Sequence, residues 1–385
     1  MKRLISTLFA VILLTSVTAS ANRDCIFEVI NVHDGPVLKK GDLGTEGNEY
    51  GFEGGRAFRF KGEYHMFTSE TFGDPKWVKM RLAHWKSKDG IKWERVSTLY
   101  ESSGDFTGKD PRAAFWSPMP YYNEKEGRWN LTYVAYKCKP STDHSWYINH
   151  EGRIWRAVSS VLGKDGLDGP YVDLRIILEP GPDSNPWEGL QGTDSFFMYP
   201  VGDKWYAFYG SANTEHWPCS FWGVGLAKAD DMAGPWKRCN ELNPVDLKSK
   251  FAENPVVTQF PDGTYIAMVD GGGINRTFGY TLSKDGIHWT KATFINLEPE
   301  VKKWWTLMRT PLGLIPEGDN IYTVFFTALM EMQDVEDKHD ESITSKRTYG
   351  VLGVVRLKLK SDDVITKALT AEGISCEKKT TSKNK

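Results

Sequence analysis

The sequence predicts an all-β chain, a five-bladed β-propeller of four-stranded antiparallel blades. Three observations carry that expectation. A closing phrase recurs almost letter for letter, Ser87-Lys88-Asp89-Gly90-Ile91-Lys92-Trp93 and Ser283-Lys284-Asp285-Gly286-Ile287-His288-Trp289. Its copies lie 196 residues apart, and three units of about 65 residues fill that gap. A second closing phrase, Gly169-Pro170-Tyr171 and Gly234-Pro235-Trp236, repeats at 65 residues. Between these phrases run short strand-like segments broken by Gly, Pro and Asp turns, while helical periodicity is scarce. Aromatics reach 13% with 15 Trp, which suits blades that bury both faces against their neighbours or a surface that stacks on sugar rings.

The units follow in order. The first spans Glu53 to Trp93, with a Lys61-Gly62 turn, Tyr64 to Phe67 and Leu82 to Trp85 as strands. In the second, Phe115-Trp116-Ser117-Pro118 precedes a Glu126-Gly127 turn and the strand Trp129 to Tyr136. A polar insertion, Lys137 to Gly152, separates it from the strand Arg153 to Ser159. The third holds Gly192 to Phe197, a Gly202-Asp203 turn and Trp205 to Tyr209. The fourth runs from Phe251 to Trp289, turning at Pro261-Asp262-Gly263. In the fifth, Leu307 to Pro311 is followed by a turn at Glu317 to Asp319, then Ile321 to Thr327 and Gly350 to Leu359. Cys25 to Val32 is the strand expected to complete the last blade and close the ring. Asp89-Gly90 and Asp285-Gly286 are too short for calcium loops and read as hairpin turns.

Outside the repeats, Met1–Ala21 reads as a secretory signal peptide: Lys2 and Arg3, an apolar Leu4 to Leu14, and a small-residue cleavage site at Ala19-Ser20-Ala21. The expected mature domain is 22–377, with a disordered Lys-rich tail at 378–385. An exported, periplasmic or extracellular monomer without membrane insertion follows. Formal net charge is −2, so no polyanion-binding surface is implied and no nucleic-acid partner is expected. Five cysteines leave at least one free; Cys219–Cys239 and Cys25–Cys376 are the candidate disulfides. There is no Cys-x-x-Cys pair, phosphate loop, dinucleotide fingerprint or Gly-x-Ser-x-Gly phrase.

In a propeller the innermost strands converge on one axis. Their starts carry Glu53 and Arg56, then Asp110, Arg112 and Trp116, then Gln191 and Asp194, then Glu253, then Arg309. Unpaired buried acids are costly, so carboxylates at equivalent places in units one, three and four point to chemistry. Gathered at an axis, they raise one another's pKa and keep one protonated near neutral pH. Glycoside hydrolysis needs one such acid to protonate the leaving oxygen and one carboxylate to activate water or attack carbon.

On these phrases the chain resembles the five-bladed propeller glycoside hydrolases around glycoside hydrolase family 43. Ala252-Glu253-Asn254-Pro255 resembles their blade-four Glu-Gly-Pro, Thr193-Asp194-Ser195 their Ile-Asp-Pro, and Phe115-Trp116-Ser117-Pro118 their Trp-Ala-Pro. Two positions depart: the blade-one base is usually Asp where this chain has Glu53, and Met119 replaces an acid that often follows Trp-Ala-Pro. The resemblance implies Glu253 as general acid, Asp194 as its pKa-tuning neighbour, Glu53 as general base, and inversion at the anomeric carbon. Arg56, Arg112, Trp116, Gln191 and Arg309 are the expected substrate-binding residues. The substrate implied is an oligo- or polysaccharide of plant or algal origin, losing a terminal arabinofuranose- or xylose-like sugar. No cofactor is required; the resemblance allows a structural calcium ion. The competing expectations are a non-catalytic carbohydrate-binding propeller and a propeller transferase or phosphorylase.

Overall fold

The computed structural model describes residues 25–140, 148–216, 219, 221–297, 304–331, 348–361 and 363–374. The signal-peptide segment 1–21, the tail 378–385 and Cys376 lie outside them. Among the described residues strands are the dominant regular element, with helix confined to a few short segments.

The N-terminal strand is β1 (Phe27–Val32). The first repeat folds as β2 (Gly51–Phe60), β3 (Glu63–Thr71), β4 (Met80–Ser87) and β5 (Glu94–Glu101). The second is β6 (Ala114–Asn123), β7 (Arg128–Lys139), β8 (Ile148–Leu162) and β9 (Tyr171–Leu178). The third is β10 (Asp194–Val201), β11 (Lys204–Ala212), β12 (Trp222–Ala229) and the two-residue β13 (Lys237–Arg238). The fourth is β14 (Glu253–Gln259), β15 (Tyr265–Asp270), β16 (Phe278–Ser283) and β17 (Thr293–Phe294). The last strands are β18 (Leu307–Pro311), β19 (Ile315–Gly318), β20 (Ile321–Glu331) and β21 (Thr348–Leu359).

Repeats two, three and four are separate four-stranded antiparallel sheets in sequence order. The expectation of uniform four-stranded sheets is corrected at the ring's seam. There β18-β20-β21 and β2-β3-β4-β5 run on as one sheet, nine-stranded with β1 and β19. The two groups touch at a single parallel pair, Gly51 with Gly350. A Cβ on Gly51 would lie 1.9 Å from the Gly350 carbonyl oxygen, so only two glycines let these backbones meet. The seam also holds β1, which pairs antiparallel with β21 from Phe27–Leu359 to Val32–Val355. The N-terminal strand thus closes the last sheet, as its pattern predicts.

The recurrent closing phrase takes one conformation twice. Asp89 Oδ1 accepts from the Ile91 and Lys92 backbone N–H groups at 2.8 Å, and Asp285 Oδ1 accepts from Ile287 and His288 at 2.8 Å. Each loop delivers its Trp to the neighbouring repeat: Trp93 meets Phe325 edge-on at 5.2 Å, and Trp289 sits 5.0 Å from Phe208. The repeated aromatics are therefore contacts between repeats, each burying large apolar area. Cys25, Cys138, Cys219 and Cys239 are free thiols, which corrects the Cys219–Cys239 pairing. Cys239 is buried within the third sheet's core, where its side chain packs rather than cross-links.

Candidate active site

The first strand of every repeat is interrupted at one level. Register slips occur at Glu53/Gly55 in β2, Trp116/Met119 in β6, Asp194/Phe196 in β10, Glu253/Val256 in β14 and Met308/Pro311 in β18. At four of them the chain turns left-handed: Gly54 (φ 64°), Ser117 (51°), Ser195 (36°) and Asn254 (49°). Serine seldom adopts that region, asparagine more readily, and such strain persists where surrounding structure enforces it, commonly at functional sites. A β-bulge re-aims the side chain beside it. The residues immediately before these turns, with the matching one on β18, are Glu53, Trp116, Asp194, Glu253 and Arg309. All five were named from sequence.

Below them the small residues make a directed chain of hydrogen bonds. Ser117 Oγ donates to Asn254 Oδ1 (3.1 Å), Asn254 Nδ2 to Thr310 Oγ1 (3.3 Å), and Thr310 Oγ1 to Glu53 Oε1 (2.8 Å). This belt ties strands β6, β14, β18 and β2 together beneath the acids.

Arg309 is the hub of the acidic level. Its Nη2 donates to Glu253 Oε2 at 3.0 Å, while Nε lies 3.5 Å from Glu53 Oε1 and 3.5 Å from Asp270 Oδ2. Two contacts to one planar guanidinium keep the Glu53 and Glu253 oxygens within about 9 Å of each other. Asp194 accepts the Ser195 backbone N–H at 2.7 Å, and the polar ends of Tyr136, Gln191 and Glu253 adjoin it and oppose the rise that burial gives its pKa. Gln191 Nε2 in turn donates to the Tyr136 hydroxyl at 3.1 Å.

Three carboxylates share one cation here and a fourth, Asp194, adjoins them; all are deeply buried: Glu53 is 8% exposed, Asp194 5%, Glu253 7% and Asp270 0%. Burial is the leading cause that raises each pKa above the carboxylate range. Arg309 pulls Glu253 back down, but Asp194, Asp270 and Glu53 push it up, and it ends well above its ordinary value. The Asp194 charge beside Glu253 is one of the causes that push Glu253 up, and of the two acids Glu253 is the one held well above its ordinary value, so it is the one favoured to carry a proton.

Two residues of this level escaped the sequence reading. Asp270, at the end of β15, pairs across strands with Glu253 and accepts from the Gly272 N–H at 2.6 Å. Tyr136 sits in the apolar run of β7. Two expected members belong elsewhere. Arg112 is tied to Asp173 on the outer strand β9 at 2.6 Å and lies over Phe115 and Trp155, so aromatic packing and its own acid hold it away from the cup. Arg56, three residues beyond Glu53 on β2, donates to the Pro120 carbonyl and lies over Phe58, Tyr121 and Phe197. The Trp116 indole N–H is buried with no hydrogen-bond partner among the described residues.

A calcium ion takes six to eight oxygen ligands. Among the described residues no three His, Cys, Asp or Glu side chains are grouped to hold a metal ion, and the belt's oxygens are spent on one another. The residues present do not fit that ion.

No protein-family model and no curated protein matches this sequence. Solved structures do. A family 117 glycoside hydrolase from the marine bacterium Zobellia galactanivorans is 16% identical, covering 88% of this chain and 92% of that one, with a TM-score of 0.58. The α-L-arabinofuranosidase PaAbf62A from Podospora anserina, in complex with cellotriose, is 11% identical over 84% and 95%, TM-score 0.51. A GH43_1 enzyme from Xanthomonas citri complexed with xylotriose is 14% identical over 85% and 89%, TM-score 0.50. Strand order, closing N-terminal strand and these likenesses agree: the chain has the fold of the propeller glycoside hydrolases.

Proposed function

We propose that this protein is a glycoside hydrolase that removes a neutral terminal sugar by two-carboxylate acid–base catalysis. The nine-stranded sheet counts as two blades touching at one glycine pair, which makes the propeller five-bladed. The observation that carries the chemistry is the crowding of Glu253 with Asp194, Asp270 and Glu53, four buried carboxylates gathered about one guanidinium. A purely structural acid does not need three like-charged neighbours, and a lectin for neutral sugars gains nothing from them.

In this reading Glu253 holds the proton and gives it to the glycosidic oxygen as the bond to the anomeric carbon breaks. Asp194 keeps that proton in place. Glu53, oriented by Thr310 and Arg309, takes a proton from water on the opposite face while the water oxygen bonds to carbon. Asp270 fixes Arg309, whose charge keeps Glu53 ionised. The limit that Arg309 sets overlaps the separation of about 6.5–9.5 Å at which inverting enzymes hold their carboxyls and also admits the roughly 5–5.5 Å of retaining ones, so the released anomer decides between them. The Trp116 N–H is free to bond a sugar hydroxyl.

Exo-action is supported by depth, since acids this buried accept a chain end more readily than a chain middle. A neutral sugar is supported by charge: Arg309 is engaged by three carboxylates, and Arg112 and Arg56 are held elsewhere. The named arabinofuranosidase and the xylotriose complex among the similar structures favour arabinofuranose or xylose as the first sugars to try. The test is a panel of aryl glycosides and plant or algal oligosaccharides, with the released anomer followed by proton NMR. One neutral monosaccharide released with inverted configuration is expected. Retention, or release from chain interiors, sinks the corresponding part.

A further inference from the structure

A cavity lies farther along the first strands of the repeats than the acids. It encloses about 250 Å³ and is lined by Arg56, Phe197, Val256–Thr258 and Leu312–Pro316. On each contributing strand these residues follow the acidic level by three or more positions, about 10 Å at strand rise. The Ser117–Asn254–Thr310 belt lies between the two levels.

Most of the lining side chains are apolar; the charged ones are Arg56 and Arg59, and Thr258 adds a hydroxyl. Val256, Leu312, Leu314 and Ile315 are core residues, and Phe197 supplies a ring face. Arg56 has no carboxylate partner among the described residues. Its one described hydrogen bond runs from Nη1 to the Pro120 carbonyl at 2.5 Å, which leaves four of five donors. Three rings have their centres 4.6–5.2 Å from its central carbon and offset part of its charge by cation–π attraction. Its neighbour Arg59, also in the lining, is already paired with Glu317 at 2.9 Å. Burial holds the Arg56 pKa below the usual arginine value, as expected for a cation short of anionic company.

We propose that this cavity is a binding site for a small organic carboxylate, its anionic end on the free edge of Arg56 and its hydrocarbon part against Val256, Leu312, Leu314 and Ile315. A buried cation needs acceptors, and a bidentate carboxylate matches the guanidinium edge. An apolar wall favours a ligand with a hydrocarbon body over a bare inorganic ion. The volume is below that of drug-sized sites, so the ligand has only a few carbons.

The probe is butyrate, titrated into the full-length protein by saturation-transfer NMR and calorimetry, with 1-butanol and chloride as controls. Saturable butyrate binding is expected, with methyl and methylene protons in contact. Binding of 1-butanol should be about tenfold weaker or worse, the loss of a charged hydrogen bond. Binding should also fade as pH falls through the acid's own range, while Arg56 stays charged. Arg56→Met should weaken butyrate about tenfold. Val257→Phe, which keeps the arginine and fills the cavity from a half-buried position, should abolish it. The inference is overturned by absence of saturable binding, by butanol or chloride binding as tightly as butyrate, or by undiminished binding in either folded variant. The butanol and chloride comparisons need no variant, and none of these readouts depends on glycosidase activity.

Discussion

Two sets of buried acids in this molecule solve the same electrostatic problem in opposite ways. Inside the first sheet, Glu70 is 0% exposed and accepts from Arg81 Nε (2.5 Å), Arg95 Nη1 (2.9 Å) and Trp85 Nε1 (2.8 Å). In the third sheet, Glu188 takes both arms of Arg238 at 2.8 and 2.9 Å and the Tyr209 hydroxyl at 2.9 Å. Each acid there has at least one guanidinium of its own. In the axial cup the ratio is reversed, with Arg309 serving Glu53, Glu253 and Asp270 while Asp194 leans on neutral donors and on Glu253 itself. Full pairing fixes a sheet; under-pairing keeps a proton in play. The difference teaches that burial alone does not mark a catalytic acid; the ratio of acids to cations around it does.

The sharpest way to break this contrast is to neutralise one acid of each kind. Glu253→Gln should lower kcat on unactivated glycosides about 10²–10⁴-fold or more, with melting temperature unchanged or raised. Glu70→Gln should do the reverse. It leaves two buried arginines short of charge and should cost about 3–5 kcal/mol in denaturant titration, with kcat of the folded fraction kept. If Glu253→Gln destabilises as Glu70→Gln does, the two regions are alike and the contrast is lost.

Asp270→Asn sharpens it further. The side chain touches no substrate in this account and acts by holding Arg309, so kcat should fall about tenfold while KM moves little. The acid limb of the pH–rate profile should also shift, because Arg309 is what favours ionised Glu53. An unmoved profile would leave Asp270 a merely structural residue.

Stability against pH separates the regions more finely. Glu253's pKa is raised in the folded state, so the folded form holds a proton that the unfolded form releases. That contribution is full below the ordinary carboxylate range and is lost as pH rises through the raised value. Glu253→Gln should therefore gain stability over wild type as pH increases from about 4.5 upward. A gap that stays constant across that window would argue against a protonated Glu253.

The smallest effect concerns the backbone that aims these groups. Gly54 has φ 64°, and a Cβ there would sit 3.2 Å from Ser117 Oγ. Gly54→Ala should cost about 1–2 kcal/mol and disturb Glu53, so a modest loss in kcat should accompany a modest fall in melting temperature.

What was legible in the sequence follows from what is local. The Ser-Lys-Asp-Gly phrase repeats because its hydrogen bonds lie within four residues, so the repeat length and sheet order could be read. The closing strand was visible in the pattern of Cys25 to Val32. Glu53, Asp194 and Glu253 stood out as acids opening apolar strands. Tertiary partners were not legible. Asp270 enters the cup through cross-strand register with Glu253, and Tyr136 through a hydroxyl on an otherwise apolar strand. Arg112 was misplaced because Asp173, 61 residues away, claims it. The merged sheet was hidden because Gly51 and Gly350 meet through backbone alone.

The most direct test of the central claim is the alkaline limb of the pH–rate profile on an unactivated oligosaccharide, compared with that on an aryl glycoside whose leaving group needs no proton. The account predicts a limb, on the oligosaccharide alone, set by a carboxyl pKa well above the ordinary range and abolished in Glu253→Gln together with turnover. Equal limbs on both substrates, or oligosaccharide turnover that survives Glu253→Gln, would contradict it.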